Sequence, residues 1–348
     1  MKLGGLKSAP FRLTNGTRHG SVLSPLLFSV YLDDLLIELR RLQYGCHIGG
    51  CWFGACGYAD DLILLAPNRQ VLQQMVDVCE RYGQDHNLVF STDPVPSLSK
   101  TKCMYFCGRP GKVKYPEPVT LDGKELPWVE HAEHLGHTLH QVVSVDMDSN
   151  KARAKFIQKS VNIREQFSFA HPEQQLQMID ILCCDGYGSM LWELQCEKVE
   201  QYFRSWNTSV KLVWGVPRST YTYLVEGYYA EKHISLRNQI LSRYPGFFRS
   251  LMSSPSREVR ILVRIVRDDP RSHTCLNLRY LRTITGLDQV ENYASWRVIE
   301  ALGKKTVPEN EKWRLGLLTA LLSIKMDKFT MVQDSKAICA MIDSLSST

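Results

Sequence analysis

Asp60 and Asp61 are adjacent carboxylates. They follow Tyr58-Ala59 and a strand-like run over residues 51–57, and they precede an unbroken apolar run over residues 62–65. That pattern predicts a tight β-hairpin with both carboxylates at its tip. Two neighbouring ionised carboxylates repel each other, and a fold holds them together most readily when Mg²⁺ neutralises both and bridges them to substrate phosphates. The plainer alternative is a solvated Asp-Asp turn, since carboxylates are common in turns. A second pair, Asp33 and Asp34, falls inside a helical pattern one turn past Val30 and Tyr31 and reads as structural.

The flanks weigh on that choice. Upstream stands Asn15-Gly16-Thr17-Arg18-His19-Gly20-Ser21, then Val22-Leu23-Ser24-Pro25-Leu26-Leu27-Phe28. Gly16 and Gly20 let a loop approach a nucleic-acid backbone closely, and Arg18 offers a planar donor fork for phosphate. Ser24-Pro25 is an N-cap and first-turn signature, and apolar residues at 26, 27, 30, 31, 35, 39 and 42 predict an amphipathic helix over 25–42. Downstream, Asn68 is placed to cap a helix over 69–84 whose Val71, Met75, Val78, Cys79 and Tyr82 share a face. A loop through Pro94 and Pro96 follows, and Lys100-Thr101-Lys102 is expected to enter another strand.

In this order the Gly-rich loop, the Tyr58-Ala59-Asp60-Asp61 hairpin, the stretch from Ser99 to Phe106 and His134-Leu135-Gly136 resemble the second half of a reverse-transcriptase palm. The match is nearest to the non-LTR, LINE-type retrotransposon reverse transcriptases, with residues 11–140 covering the motifs labelled B to E. The resemblance implies template-directed synthesis of DNA from RNA. Asp60 and Asp61 would coordinate Mg²⁺ (or Mn²⁺), and Gly16, Arg18, His19, Gly20, Ser21 and Tyr58 would line the site for template and dNTP. Lys102 would approach the triphosphate, where a cation stabilises the leaving group or donates a proton; the alternative is a solvated lysine at a strand end. Leu135 and Gly136 would support the primer end. The family has Gln where this chain has His19, which changes the donor and acceptor pattern offered to substrate.

The family's third carboxylate lies on a palm strand several dozen residues before the Gly-rich loop, and residues 1–10 contain no Asp or Glu. The expectation is therefore a fragment without fingers or motif A, incomplete as a two-metal site and inactive by itself, with an open sheet edge. RNA template, DNA primer and dNTP are the expected partners, together with a segment supplying fingers and motif A. A non-catalytic nucleic-acid-binding remnant and a transposon fossil with no selected role stand as alternatives.

The chain has 348 residues, 44% of them hydrophobic, enough for two or three ordinary cores. No run approaches a membrane span and no leader pattern is present, so an intracellular chain of cytoplasm or nucleus is expected. The 11 cysteines read as free thiols without a disulfide framework, and Cys103 with Cys107 lacks the second pair a zinc site needs. His131, His134, His137 and His140 recur at every third residue, yet a strand pair around Gly136 would send alternate histidines apart, which argues against a metal cluster.

Charge divides the chain. Residues 1–148 carry 14 Lys and Arg against 16 Asp and Glu, leaving 28 against 20 for residues 149–348. In the basic half, Lys151, Lys155 and Lys159 form an i, i+4 row that reads as a solvated face. Arg257, Arg260, Arg264 and Arg267 share one helical face opposite Val259, Leu262, Val263 and Val266, a surface suited to phosphate backbones. Gly186-Tyr187-Gly188 is read as an interruption between helices, and Pro245, Pro255, Pro270 and Pro308 as helix dividers. The expected fold is α+β: a truncated palm over 1–148, its antiparallel sheet backed by helices, then a thumb-like helical region over 149–216 and a helical basic region over 217–348.

Overall fold

The computed structural model describes residues 2–3, 6–7, 22–93, 95, 98–106, 115–142, 144, 146–222 and 234–306. The chain divides into two compact units at Glu130/His131.

The first unit places two helices against short hairpins. Helix α1 (Ser24–Leu42) buries Leu32, Leu35 and Leu39. Its first turns differ from the amphipathic stripe expected, because Leu26, Leu27 and Val30 are exposed. The N-cap is Leu23, which makes no side-chain cap, so Ser24 is the first helical residue and Pro25 follows it. Helix α2 (Arg69–His86) agrees closely with its sequence pattern. Asn68 caps it, accepting a hydrogen bond from the Val71 amide at 2.9 Å, and Met75, Val78, Cys79 and Tyr82 are buried.

After β1 (Lys2–Leu3) and β2 (Leu6–Lys7), the strands are β3 (His47–Ile48), β4 (Cys51–Trp52), β5 (Ala55–Tyr58), β6 (Asp61–Leu64), β7 (Val119–Leu121) and β8 (Lys124–Leu126). Each pairs with its chain neighbour in an antiparallel two-stranded ladder. The continuous palm sheet expected from the sequence is thus not formed among the described residues. Single backbone bonds tie the second hairpin to the third: Cys46 N–H donates to Leu65 O at 2.9 Å, and Leu65 N–H to Gly54 O at 2.7 Å. The Lys100–Lys102 stretch does not enter a strand either; a lone bridge joins Cys103 to Trp128.

Burial raises the thiols of Cys79 and Cys103, to about 12 and about 11 respectively. Since the thiolate is the nucleophile, iodoacetamide at mildly alkaline pH is expected to spare both in the folded chain and to label both in denaturant. Labelling of Cys79 in the native chain as fast as exposed Cys56, followed by mass spectrometry, would show that α2 is not seated. The described cysteines are all free, as the sequence implies, while Cys107 lies outside the described residues.

The second unit opens with the hairpin β9 (His131–His134) and β10 (His137–His140) and is otherwise helical: α3 (Asp146–Gln166), α4 (Pro172–Cys183), α5 (Glu197–Val213), α6 (Leu236–Met252), α7 (Arg257–Asp268), α8 (His273–Thr285) and α9 (Ser295–Thr306). Its core is aromatic, with Trp192, Trp206, Trp214 and Tyr202 all buried. Asn277 sits at zero exposure, its amide donating to Trp192 O at 2.7 Å while its carbonyl accepts from Leu194 N–H at 2.9 Å. Pro245 does not divide two helices; it lies inside α6. A proline interior to a helix costs about 3 kcal/mol, and burial of Leu236, Ile240, Leu241, Tyr244 and Phe248 along α6 offsets it at roughly 1.5–3 kcal/mol per large apolar side chain.

Candidate functional site

Alternation along β6 decides where the carboxylates point. Leu62 and Leu64 face the α1–α2 core, with Ala55 of the partner strand, so Asp61 and Ile63 take the opposite face. Tyr58 pairs with Asp61 across the ladder, and Ala59-Asp60 forms the turn. Ala59 carries φ +52°, a left-handed conformation that a residue with a Cβ adopts at some cost and that recurs where a turn must aim a functional group. Tyr58, Asp60 and Asp61 are all exposed. The seat beneath the hairpin is close: a Cβ on Gly57 would come within 3.1 Å of Leu36 Cδ1 on α1.

Two exposed, adjacent carboxylates are hard oxygen donors. Mg²⁺ commonly keeps several waters and is held by one or two carboxylates together with substrate phosphates, so the donor set fits such an ion. Among the described residues no group of three or more His, Cys, Asp or Glu side chains forms a metal cluster, so the hairpin supplies two ligands and no third joins them there. Lys102 is exposed and next to buried Cys103. Gly16, Arg18, His19, Gly20 and Ser21 lie outside the described residues. Asp33 and Asp34 are exposed positions within α1.

In the second unit, Leu135 (φ +48°) and Gly136 (φ +78°) form the two-residue turn between β9 and β10. Both central residues have positive φ, as the type I′ turn of a tight hairpin demands, which explains glycine at the second position. The histidines do not gather. His134 faces His137 and His131 faces His140 across the ladder, two pairs on opposite faces.

His137 is instead part of a chain of interactions that sequence reading misses. Its Nδ1 lies 3.2 Å from Asp148 Oδ2 on α3, and the same carboxylate oxygen accepts the Trp192 indole N–H at 2.8 Å. The imidazole stacks on Tyr187, ring centroids 5.1 Å apart and planes 12° from parallel. The Tyr187 hydroxyl closes the circuit by donating to Leu135 O at 2.6 Å. Gly188 is required beside it, since a Cβ there would fall 2.2 Å from His137 Cε1. The Gly-Tyr-Gly triplet is the sole sequence signal for this arrangement.

Helix α7 presents the arginine row as the pattern predicts. Val263 is buried on its apolar side, while Arg257 and Arg264 are exposed. The other two are engaged locally: Arg260 donates to Pro255 O at 2.9 Å, and Arg267 Nε to Asp268 Oδ1 at 2.8 Å. That bond from Arg267 holds the Asp268 carboxyl below its ordinary value.

Residues 3–139 match the family described as reverse transcriptase (RNA-dependent DNA polymerase). The chain is 32% identical over 124 residues to the Retrovirus-related Pol polyprotein from type-1 retrotransposable element R2 of Nasonia vitripennis, covering 35% of this chain and 12% of that protein. It is 37% identical over 73 residues to the Retrovirus-related Pol polyprotein from type-2 retrotransposable element R2DM of Drosophila melanogaster, covering 21% and 7%. Against the type-1 R2 protein of Popillia japonica it is 28% identical over 131 residues, covering 36% and 18%. The chain thus spans less than a fifth of each of these relatives.

Proposed function

We infer that this chain, which carries a reverse-transcriptase segment of the non-LTR retrotransposon type in residues 3–139, contributes the metal-binding hairpin of an RNA-directed DNA polymerase. The observation that carries this reading is the Tyr58–Asp61 tip, where two adjacent carboxylates stand exposed on a hairpin whose other face is seated on α1 and α2.

In this reading Asp60 and Asp61 hold divalent Mg²⁺ or Mn²⁺. When bound, such ions lower the barrier to in-line displacement by activating the attacking 3′-oxygen and stabilising the triphosphate. Tyr58, in register with Asp61, borders the reacting end. Lys102 sets its ammonium near the phosphates, where it offsets charge on the departing pyrophosphate. The loop of Gly16, Arg18, His19, Gly20 and Ser21 positions template RNA and dNTP, and Leu135-Gly136 bears on the DNA primer. Such a palm segment acts in cytoplasm or nucleus; among the described residues no helix is long and apolar enough to cross a membrane.

Displacement of this kind uses a third carboxylate. The described residues bring two together, so the third comes from outside them. The test is primer extension on an RNA template with Mg²⁺. Asp60→Ala and Asp61→Ala are each expected to abolish extension by a polypeptide in which a further carboxylate joins the hairpin, while primer–template binding persists. Extension that survives both substitutions would overturn the reading.

The α7 face favours a second, non-catalytic reading, in which the basic half holds nucleic acid without chemistry. Replacing Arg257 and Arg264 by alanine would then weaken binding evenly across sequences and flatten its salt dependence.

A further inference from the structure

We propose that Ser254 is a phosphorylation site for a proline-directed kinase and that Arg260 of α7 captures the phosphate it receives. For its effect on binding, though not for the modification itself, the proposal rests on the second reading of the α7 face.

Two Ser-Pro dipeptides occur in the sequence, at 24–25 and 254–255. Proline brings no N–H that needs a partner, so a kinase groove lined by apolar atoms beyond the target hydroxyl accepts it more readily than other residues. A cation at the third position after the serine adds a charge contact with an acidic kinase surface. Ser24 lacks this context, since it is the first residue of α1 and Leu27 stands at its third position. Ser254-Pro255-Ser256-Arg257 satisfies the whole pattern.

The structure presents this tetrapeptide to solvent at the junction of α6 and α7. Pro255 and Arg257 are exposed and Ser254 is half-buried. Ser256 has extended backbone, φ −68° and ψ +125°, suited to an open groove. Val263 is the only residue that α7 buries, so lifting the junction into a kinase sacrifices little packing.

In the transfer, Ser254 Oγ attacks the γ-phosphorus of ATP and the bond to the β–γ bridging oxygen breaks. ADP leaves, and the hydroxyl proton passes to the kinase's catalytic carboxylate. The phosphoserine carries about −1.5 to −2 charge at pH 7. Arg260 already stands beside it, donating to Ser254 O and to Pro255 O at 2.9 Å. Exchanging a neutral carbonyl for a phosphate oxygen makes the bond charge-assisted and roughly twice as strong. Residues 254–268 carry four arginines against Glu258 and Asp268, a balance of +2 that one phosphate brings near zero. The α7 face then loses its attraction for polyanions.

The test incubates the full chain with a cyclin-dependent kinase and γ-labelled ATP and locates the phosphate by mass spectrometry. Label at Ser254 is expected to vanish in Ser254→Ala, to fall at least about tenfold in Pro255→Ala, and to survive Arg257→Lys and Ser24→Ala. A parent chain that stays unlabelled, or label undiminished in Ser254→Ala, overturns the site. Capture is read by ³¹P NMR titration. A phosphoserine beside a guanidinium should lose its second proton below the usual pKa of about 6, and Arg260→Gln should return it there. Equal titration in parent and variant overturns the capture. The phosphorylated chain is also expected to elute from heparin-agarose at lower salt. Label at Ser254 with elution unchanged keeps the modification site and overturns the α7 binding reading instead.

Discussion

Alanine at Asp60 or at Asp61 is expected to lower metal-dependent nucleotide incorporation at least about a thousandfold in a polypeptide whose site is complete, a barrier increase of roughly 4 kcal/mol. Each substitution removes one of two adjacent oxygen donors, and at this tip no third described ligand stands ready to replace it. Asparagine at either position is the sharper variant, because it keeps volume and hydrogen bonding while deleting the charge that a divalent ion requires. The readouts are single-turnover incorporation on an RNA template and Mn²⁺ binding followed by electron paramagnetic resonance. Since both side chains are exposed and lie outside the core, the variants should melt with the parent. Incorporation that survives both substitutions would show that the carboxylates belong to a solvated turn.

The two positions need not respond equally. Asp61 opens β6 and its direction is set by the ladder, whereas Asp60 lies in the turn after a residue at φ +52°. Relaxing the turn with Ala59→Gly should therefore disturb Asp60 first. The hairpin tip thus ties backbone conformation to chemistry without using any buried group.

What could be read in the sequence depended on how local the cause was. The cap at Asn68 and the apolar face of α2 follow from neighbours within a turn or two, and both stand in the structure as their spacing implied. The Asp60–Asp61 hairpin was legible for the same reason, as was the strand pair around Leu135-Gly136. Pairing between hairpins is non-local, and there the expected continuous sheet gave way to separate two-stranded ladders among the described residues. Pro245 misled because its local cost is real; the compensating burial along α6 comes from residues far away in the chain. Tyr187 shows the limit most clearly. Gly186-Tyr187-Gly188 reads as a break between helices, and nothing near it announces a hydroxyl bond to Leu135, 52 residues away.

The second large effect concerns the support of that turn. Trp192→Ala is expected to destabilise the helical unit by about 3–5 kcal/mol, a fall in melting temperature of roughly 6–20 °C for a unit of this size. The indole is 1% exposed and meets Tyr202 edge-on, ring centroids 5.4 Å apart, so its loss leaves a cavity in the aromatic core. It also strips Asp148 of the indole N–H at 2.8 Å. Trp192→Phe separates the two contributions. A phenyl ring keeps most of the packing and deletes only the donor, which should cost about 1 kcal/mol for a partly buried carboxylate that keeps two other partners. Asp148 then rests on His137 and the Thr138 amide, and β10 with its turn loses a fixed reference. Amide hydrogen exchange at Thr138 and Leu139 should rise in Trp192→Phe beyond what global stability explains. If it rises only in step with global unfolding, the indole serves the core alone and Asp148 does not transmit its position to the hairpin. If it rises first, the tryptophan, the aspartate, His137 and Tyr187 act as one support. The orientation of Leu135-Gly136 then derives from the core of the second unit.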